Sequence, residues 1–496
     1  MARLLIIGIA LVAALGGLIY GIDSGIIGTT LGQDSFKLYM FGPSKANSAL
    51  SGAIVSCYNA GQALGSASAG YLADKFSRKY TILMAAVLAA GSAAIQAGAI
   101  NIGMMIAGRA IAGFACGEIL SVVPVYISEI SPPKQRGFVV GLQGMAIACG
   151  FAIANWIGYG GSYASGNAQW RITLSMQIPA AVSLAVGILF VPFSPRWLIQ
   201  QDRHEEAKRV LTRLHDSEDG HDMVNQEMIQ IREQINLEKM QNDSSWLSAI
   251  TQLFSRQYIR RTVTAAFILS MTQLSGSQII QNFQNIFYAT AGFKGQQALL
   301  ISGVYGMMGV IGQVIYLAFV ADKWPRARTM WTGSLVLCVM ISICMALSAV
   351  YGEQSSGNLS GSRGAIAFIF LYSMAYAIFF NAIVWVLSAE LFPFFLRSKG
   401  VAVAVFVKAV VAIVLSQITP LAIAAVSWRY YSLFIATNFA AAVVYFFFLP
   451  ETSGKSLEEI AELFGDTLAT GHIGEIDVDA KGIELEEPIV ETRSRV

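Results

Sequence analysis

Asp74-Lys75-Phe76-Ser77-Arg78-Lys79 returns half a chain later as Asp322-Lys323-Trp324-Pro325-Arg326. A second signature, Glu129 through Pro132 to Arg136-Gly137, returns as Glu390, Pro393 and Arg397, followed by Lys399-Gly400. In both copies of the second the arginine follows the glutamate by seven positions, and the two signatures keep their order. A duplicated half in an apolar chain predicts two membrane bundles related by a repeat, with a solute path between them.

Composition makes lipid the solvent. Hydrophobic residues are 55% of the chain and charged ones 13%, with mean hydropathy +0.57, whereas a soluble domain carries about 25% charge. A spanning helix needs about 20 mostly apolar residues. Such windows fall near 4–27, 48–72, 80–100, 104–126, 137–158, 172–192, 262–288, 297–320, 329–351, 364–388, 400–424 and 430–449. The expected fold is an all-α membrane protein with twelve transmembrane helices in two pseudo-symmetric six-helix bundles. The bundles are expected over 1–192 and 262–449, with cytoplasmic interfacial helices over 193–261 and a cytoplasmic tail over 450–496. In the insert, charged Arg203, His204, Glu205, Glu206, Lys208 and Arg209 alternate with apolar Val210, Leu211 and Leu214, which predicts amphipathic helices at the membrane surface. Glu458, Glu459 and Glu462 lie on a short helix-like stretch of the tail.

Most of the 33 Lys and Arg fall in segments that share a side with both termini, so the positive-inside rule places both ends in the cytoplasm. The first apolar stretch runs on through Gly16-Gly17-Leu18-Ile19-Tyr20-Gly21-Ile22-Asp23 and reads as a first span rather than a cleavable signal. The five cysteines, all inside expected spans, read as packing residues. His204, His215, His221 and His472 lie outside the spans, and no nucleophile–base pair, metal-ligand cluster or Walker-type loop is present. Enzymatic activity, a metal, a cofactor and ATP are therefore not expected, and a net charge of +2 gives no sign of nucleic acid. Asn358-Leu359-Ser360 forms a glycosylation sequon in a loop expected outside.

These motifs resemble the sugar porter family of the major facilitator superfamily, in a fungal-type form. The likeness runs from Gly16 to Glu459. It includes Gly70-Tyr71-Leu72-Ala73-Asp74 with Arg78-Lys79, Gly108-Arg109, Pro124 to Pro132 with Arg136-Gly137, Pro192-Phe193-Ser194-Pro195-Arg196, Gln273-Leu274-Ser275-Gly276 and Pro450-Glu451-Thr452. The resemblance implies alternating access and a sugar or polyol as the solute, expected to cross the plasma membrane in symport with a proton on what is expected to be a monomer. An acidic sugar or quinate-like carboxylate, a facilitative uniporter and a non-transporting sensor are the alternatives.

On charge grounds, Asp74, Glu129 and Glu390 can pair with Arg78, Arg136, Arg326 and Arg397 as an inner gate. At a water-exposed rim such pairs contribute about 0–1 kcal/mol each, which suits a gate that opens. Ionisable residues within spans are functional candidates by default, and here they are Asp23, Arg109, Glu118 and Lys408. In proton-coupled sugar porters the residues matching Asp23 and Arg109 are neighbours whose pairing depends on protonation, and moving the carboxylate toward or away from the guanidinium would release or load a proton. The competing reading is a static ion pair.

Sugar hydroxyls call for amides, which both donate and accept, and for aromatic faces against the ring. The seventh span carries Gln273, Ser275, Gln278, Gln281, Asn282, Gln284 and Asn285. Interhelical hydrogen bonding is the competing use of such a set. By the resemblance, Gln273, Ser275 and Gln278 contact solute, Tyr20 and Trp385 line its site, and Phe283 stands at an outer gate. Gly144, Gly306 and Ala382-Ile383-Val384 depart from the family's usual Gln, Asn and Pro-x-Pro. Lys408, also a candidate substrate contact, has three competing partners: Glu118, a lipid headgroup reached by snorkelling, and an acidic substrate.

Overall fold

The computed structural model describes residues 2–42, 47–131, 136–215, 224, 228–229, 231–232, 246–290, 292–321, 323–351 and 359–453. The Arg136 side chain, Asp322, His221, His472, Asn358 of the sequon and the acidic stretch of the tail lie outside the described residues. Every described element is helical.

The spans follow the apolar windows closely. They are span 1 (Ala2–Gly32), span 2 (Ser48–Phe76), span 3 (Arg78–Ala97), span 4 (Ile102–Ile130), span 5 (Arg136–Gly161), span 6 (Ala168–Ser175 with Gln177–Leu189) and span 7 (Ile259–Leu274 with Ser277–Thr290). Span 8 (Gln296–Ile315) ends in a π-helical turn, Tyr316–Val320, and span 9 is Arg326–Tyr351. Span 10 (Leu359–Tyr376) passes through a π-helical turn, Ala377–Asn381, into Ile383–Glu390. Spans 11 (Phe394–Val426) and 12 (Tyr431–Phe448) complete the set. Ten segments are long and apolar enough to cross a membrane on those grounds alone. One of them, Leu396–Phe448, covers two spans hinged at the 3-10 turn Ser427–Tyr430. Ser48–Phe76, rich in Ser, Gly and Ala, is the other span that this criterion does not isolate.

Caps mark several boundaries. The Asn47 and Asn101 side chains accept from the backbone N–H of Leu50 (3.0 Å) and Met104 (2.8 Å), satisfying donors that a helix start leaves over. Large apolar side chains such as Phe190 and Phe447, 84% and 71% exposed, face outward, as lipid requires and water would penalise. Inside each bundle small residues set the packing. Gly61 and Gly65 of span 2 lie against the carbonyls of Ala110 and Phe114, while Gly113 and Gly117 of span 4 lie against those of Tyr58 and Gln62. A Cβ at any of the four would strike backbone, so these helices approach as small-xxx-small pairs do in lipid. Gly17, Gly21 and Gly25 of span 1 meet span 5 at Gln143, Ile147 and Phe151 in the same way.

The insert forms short helices, Pro195–Gln200, His204–His215 and Trp246–Leu253. Ala207, Leu211 and Leu214 are buried, and Trp197 Nε1 donates to the Asp74 carbonyl (3.0 Å), which ties the insert to the end of span 2.

Candidate functional site

The largest contacts between the first six spans and the last six lie along three seams. Span 2 meets span 11 through Ser56–Gln417 (3.0 Å) and Asn59–Ser416 (3.0 Å). Span 5 meets span 8 where Gly306 lies against the Ala152 backbone and Gly141 against Leu317. Span 1 meets span 7 where Asn285 Nδ2 donates to the Gly28 carbonyl. Between these seams is a central cavity with about 50 Å³ of room for water centres, enough for roughly four waters. Both bundles line it.

Span 7 explains how one helix serves two purposes. Gly276 adopts φ +93°, and a Cβ there would sit 2.7 Å from the Phe434 ring, so this break accepts glycine alone. The Ser275 carbonyl released by the break accepts from Tyr372 Oη (2.7 Å) and Asn438 Nδ2 (3.0 Å), the internal satisfaction that lipid demands. The span is thereby split into Ile259–Leu274 and Ser277–Thr290. Gln278 and Gln281 reach the cavity together with Thr272, while Gln284 bonds Asn155 (2.6 Å) and Asn285 bonds Gly28 as links between bundles. Gln273 and Ser275, 1% and 0% exposed, are held in packing rather than among the cavity's lining groups. Phe283 is buried at a local departure from helical geometry, φ −120° and ψ 23°.

Tyr20, Trp385 and Lys408 all line the cavity. Tyr20 Oη donates to Gln278 Oε1 (3.1 Å), and Lys408 Nζ donates to Tyr20 Oη (3.2 Å). The ammonium also stands over two rings, 4.9 Å from the Tyr20 centroid and 5.4 Å from that of Trp385. Lys408 is 1% exposed, so it does not snorkel to the lipid surface. Nor does it pair with Glu118. Glu118 is two residues beyond Cys116, about 200° around the helix, and whereas Cys116 faces Asp23, Glu118 is buried facing Ser68 of span 2.

One turn along span 1 from Tyr20, Asp23 Oδ1 accepts from Arg109 Nη1 at 2.8 Å, and Asp23 Oδ2 accepts from Cys116 Sγ at 3.4 Å. Both charged side chains are buried, and the guanidinium lies 4.3 Å from the Tyr58 ring centroid. Asp23 and Tyr20 are three residues apart and share a helix face, so span 1 joins the ion pair to the cavity.

The departures from family pattern fit one another. A Cβ on Gly144 would lie 2.7 Å from the Ala382 Cβ, and the Gly144 carbonyl accepts from Asn381 Nδ2 (2.8 Å), which also donates to Gln313 Oε1 (3.0 Å). Loss of a large side chain in span 5 and of proline in span 10 lets the two backbones close up. Asn381, Tyr376 and Ser373 line the cavity without any sequence signal, because a polar residue in an apolar helix does not reveal its azimuth. The π-helical turn at Ala377–Asn381 is of the kind that marks functional sites.

The charged cluster on the side where the chain termini lie differs from a set of exposed latches. Arg78 reaches Glu129 (3.1 Å) and Asp74 (3.2 Å) within the first bundle, and Arg326 pairs with Glu390 within the second. The Arg78 and Glu129 side chains are only 5% and 1% exposed, so the discount for a wet rim does not apply to them. Lys399 to Asp74, at 3.7 Å, is an ion pair that crosses between bundles. Arg397 is buried at the start of span 11. Glu451, part of the Pro-Glu-Thr motif, caps span 9 by accepting from the backbone N–H of Arg326 (2.8 Å) and Ala327 (3.0 Å), and Thr452 donates to Glu390 (3.3 Å).

Residues 9–464 match the Sugar (and other) transporter family, and the chain belongs to it. It is 36% identical over 471 residues to the MFS-type transporter criB of Aspergillus cristatus, covering 94% of this chain and 95% of that one. It is 28% identical over 476 residues to a high-affinity glucose transporter of Kluyveromyces lactis, covering 93% and 85%. In fold it is similar to the proton:xylose symporter XylE bound to 6-bromo-6-deoxy-D-glucose, with TM-score 0.80, 23% identity and coverage of 94% and 100%. The inward-open form of XylE from E. coli gives TM-score 0.71 at 24% identity, with coverage of 92% and 99%. The protein is thus a multi-pass membrane transporter of the major facilitator fold, and not an enzyme.

Proposed function

We propose that the protein is a proton-coupled secondary transporter of a small polyhydroxylated, sugar-like solute at the plasma membrane, with both termini cytoplasmic. The observation that carries this reading is the buried Asp23–Arg109 pair one helical turn from a cavity of amides and aromatic rings. Gln278, Gln281 and Asn381 offer donors and acceptors for hydroxyls, and Tyr20 and Trp385 offer faces for the solute's C–H surface. Two relatives named for glucose and for proton-coupled xylose transport agree with it.

Protonation of Asp23 removes the attraction to Arg109 and frees span 1 to shift against span 4. That shift moves Tyr20, and with it the hydrogen bond to Gln278 in the other bundle. Seams lie on both sides of the cavity, so opening toward one side breaks Lys399–Asp74 and its neighbours, while opening toward the other breaks Asn285–Gly28 and Ser56–Gln417. Bundle rocking about the cavity then gives alternating access.

Purified protein in lipid vesicles, offered neutral sugars, polyols and sugar acids with and without an inward proton gradient, tests the proposal. Accumulation of at least one such solute only with the gradient is expected. Equal equilibration with and without it would remove the coupling and leave a uniporter.

A further inference from the structure

Lys408 is the one charge in the cavity lining that the proposed cycle does not use. Its ammonium has three N–H donors, of which one goes to Tyr20 Oη. Tyr20 spends its single proton on Gln278, so its oxygen is purely an acceptor toward Lys408. No carboxylate pairs with Lys408 among the described residues. Asp23 is engaged by Arg109, and Glu118 faces away toward span 2. The two ring faces offset only part of the cost of burying a cation. A buried ammonium aimed into a solute cavity, with donors left over, is built to meet an anion.

The geometry points to a polyhydroxylated monocarboxylate as the transported solute, its carboxylate seated on Lys408 and its hydroxyls on Gln278, Gln281 and Asn381. This inference rests on the carrier reading above and narrows its solute. A phosphate ester fits less well, because it carries a second charge and the other deep cation, Arg109, is already held by Asp23. A neutral sugar leaves the Lys408 donors without an acceptor of matching charge.

The decisive probes are glucuronate and its methyl ester, which share a ring and hydroxyls and differ in charge. Gluconate, quinate, glucose, glucitol and glucose 6-phosphate complete the set. In vesicles containing the intact protein, counterflow of at least one free acid at rates at least tenfold above its ester or neutral counterpart is expected. Lys408→Met abolishes that preference, and Lys408→Arg retains part of it. If Lys408→Met does not fold, the acid-versus-ester comparison on the unaltered protein decides alone, supported by thermal shift with the same compounds. Equal transport of acid and ester, preference for the phosphate, or transport of neutral sugars alone overturns the monocarboxylate and leaves the carrier reading intact. No uptake of any probe by folded, reconstituted protein overturns both.

Discussion

Asp23→Asn separates a proton switch from a static strut. The substitution keeps the shape of the side chain and removes the charge that Arg109 contacts at 2.8 Å. One proton moving with each neutral solute, driven by one pH unit and 100 mV, supplies about 3.7 kcal/mol, or roughly 500-fold accumulation. If the solute is a monoanion, as inferred from Lys408, proton and solute cross as a neutral unit. The voltage contribution then vanishes, and the same conditions support only about tenfold. The unaltered protein should therefore accumulate a free acid in proportion to the pH gradient and regardless of potential, whereas Asp23→Asn should bring the acid to unity at zero potential and about 50-fold below unity at 100 mV, inside negative, while counterflow persists. The variant also leaves Arg109 buried without its counter-charge, at a cost of about 3–5 kcal/mol, so it should melt well below the unaltered protein. Asp23→Asn/Arg109→Gln removes both charges and should recover most of that loss without recovering accumulation. The assays are gradient-driven uptake, counterflow and melting in detergent on the same preparations. Accumulation by Asp23→Asn equal to that of the unaltered protein would refute the argument.

Two further outcomes test other parts of the structure. Lys399→Gln removes the pair with Asp74 that bridges the bundles and leaves Arg78–Asp74 in place; the two side chains are 18% and 25% exposed, and the contact is worth about 0.2–1 kcal/mol. It should raise the inward-open population by up to about fivefold, seen as faster thiol labelling of a Ser398→Cys reporter, and an unchanged labelling rate would count against the gate. Gly144→Gln restores the usual family side chain but drives it into Ala382 at 2.7 Å. It should cost about 1–3 kcal/mol through overpacking, and an unaltered melting temperature would show that the span 5–span 10 contact is not close.

The spans were legible because each is an apolar run of the length a bilayer requires, and helix is the way such a run can satisfy its own backbone. Asp23, Arg109, Glu118 and Lys408 stood out for the same reason, since a charge in such a run has nowhere to hide. Their pairing was less legible. Glu118 and Lys408 looked like complementary charges, yet Glu118 turns to span 2. The seventh-span amides read as one polar set, yet Gln273 is packed away before the break at Gly276, and beyond it Gln278 and Gln281 face the cavity while Gln284 and Asn285, past the non-helical Phe283, bond the first bundle. The role of Glu451 as a cap for a helix that begins 125 residues earlier could not be read from local sequence.

By itself the sequence determined the solvent, the number and length of the helices, the duplicated halves and the presence of four deep charges. Those are properties of composition and of runs along one dimension. Only the tertiary structure decided which face each helix presents, because helices apolar all round carry little moment to orient them, and the glycine stripes and the span 7 break set the azimuth through close contact. From that azimuth come the Asp23–Arg109 pair, the cavity-facing Lys408 and the division of the amides.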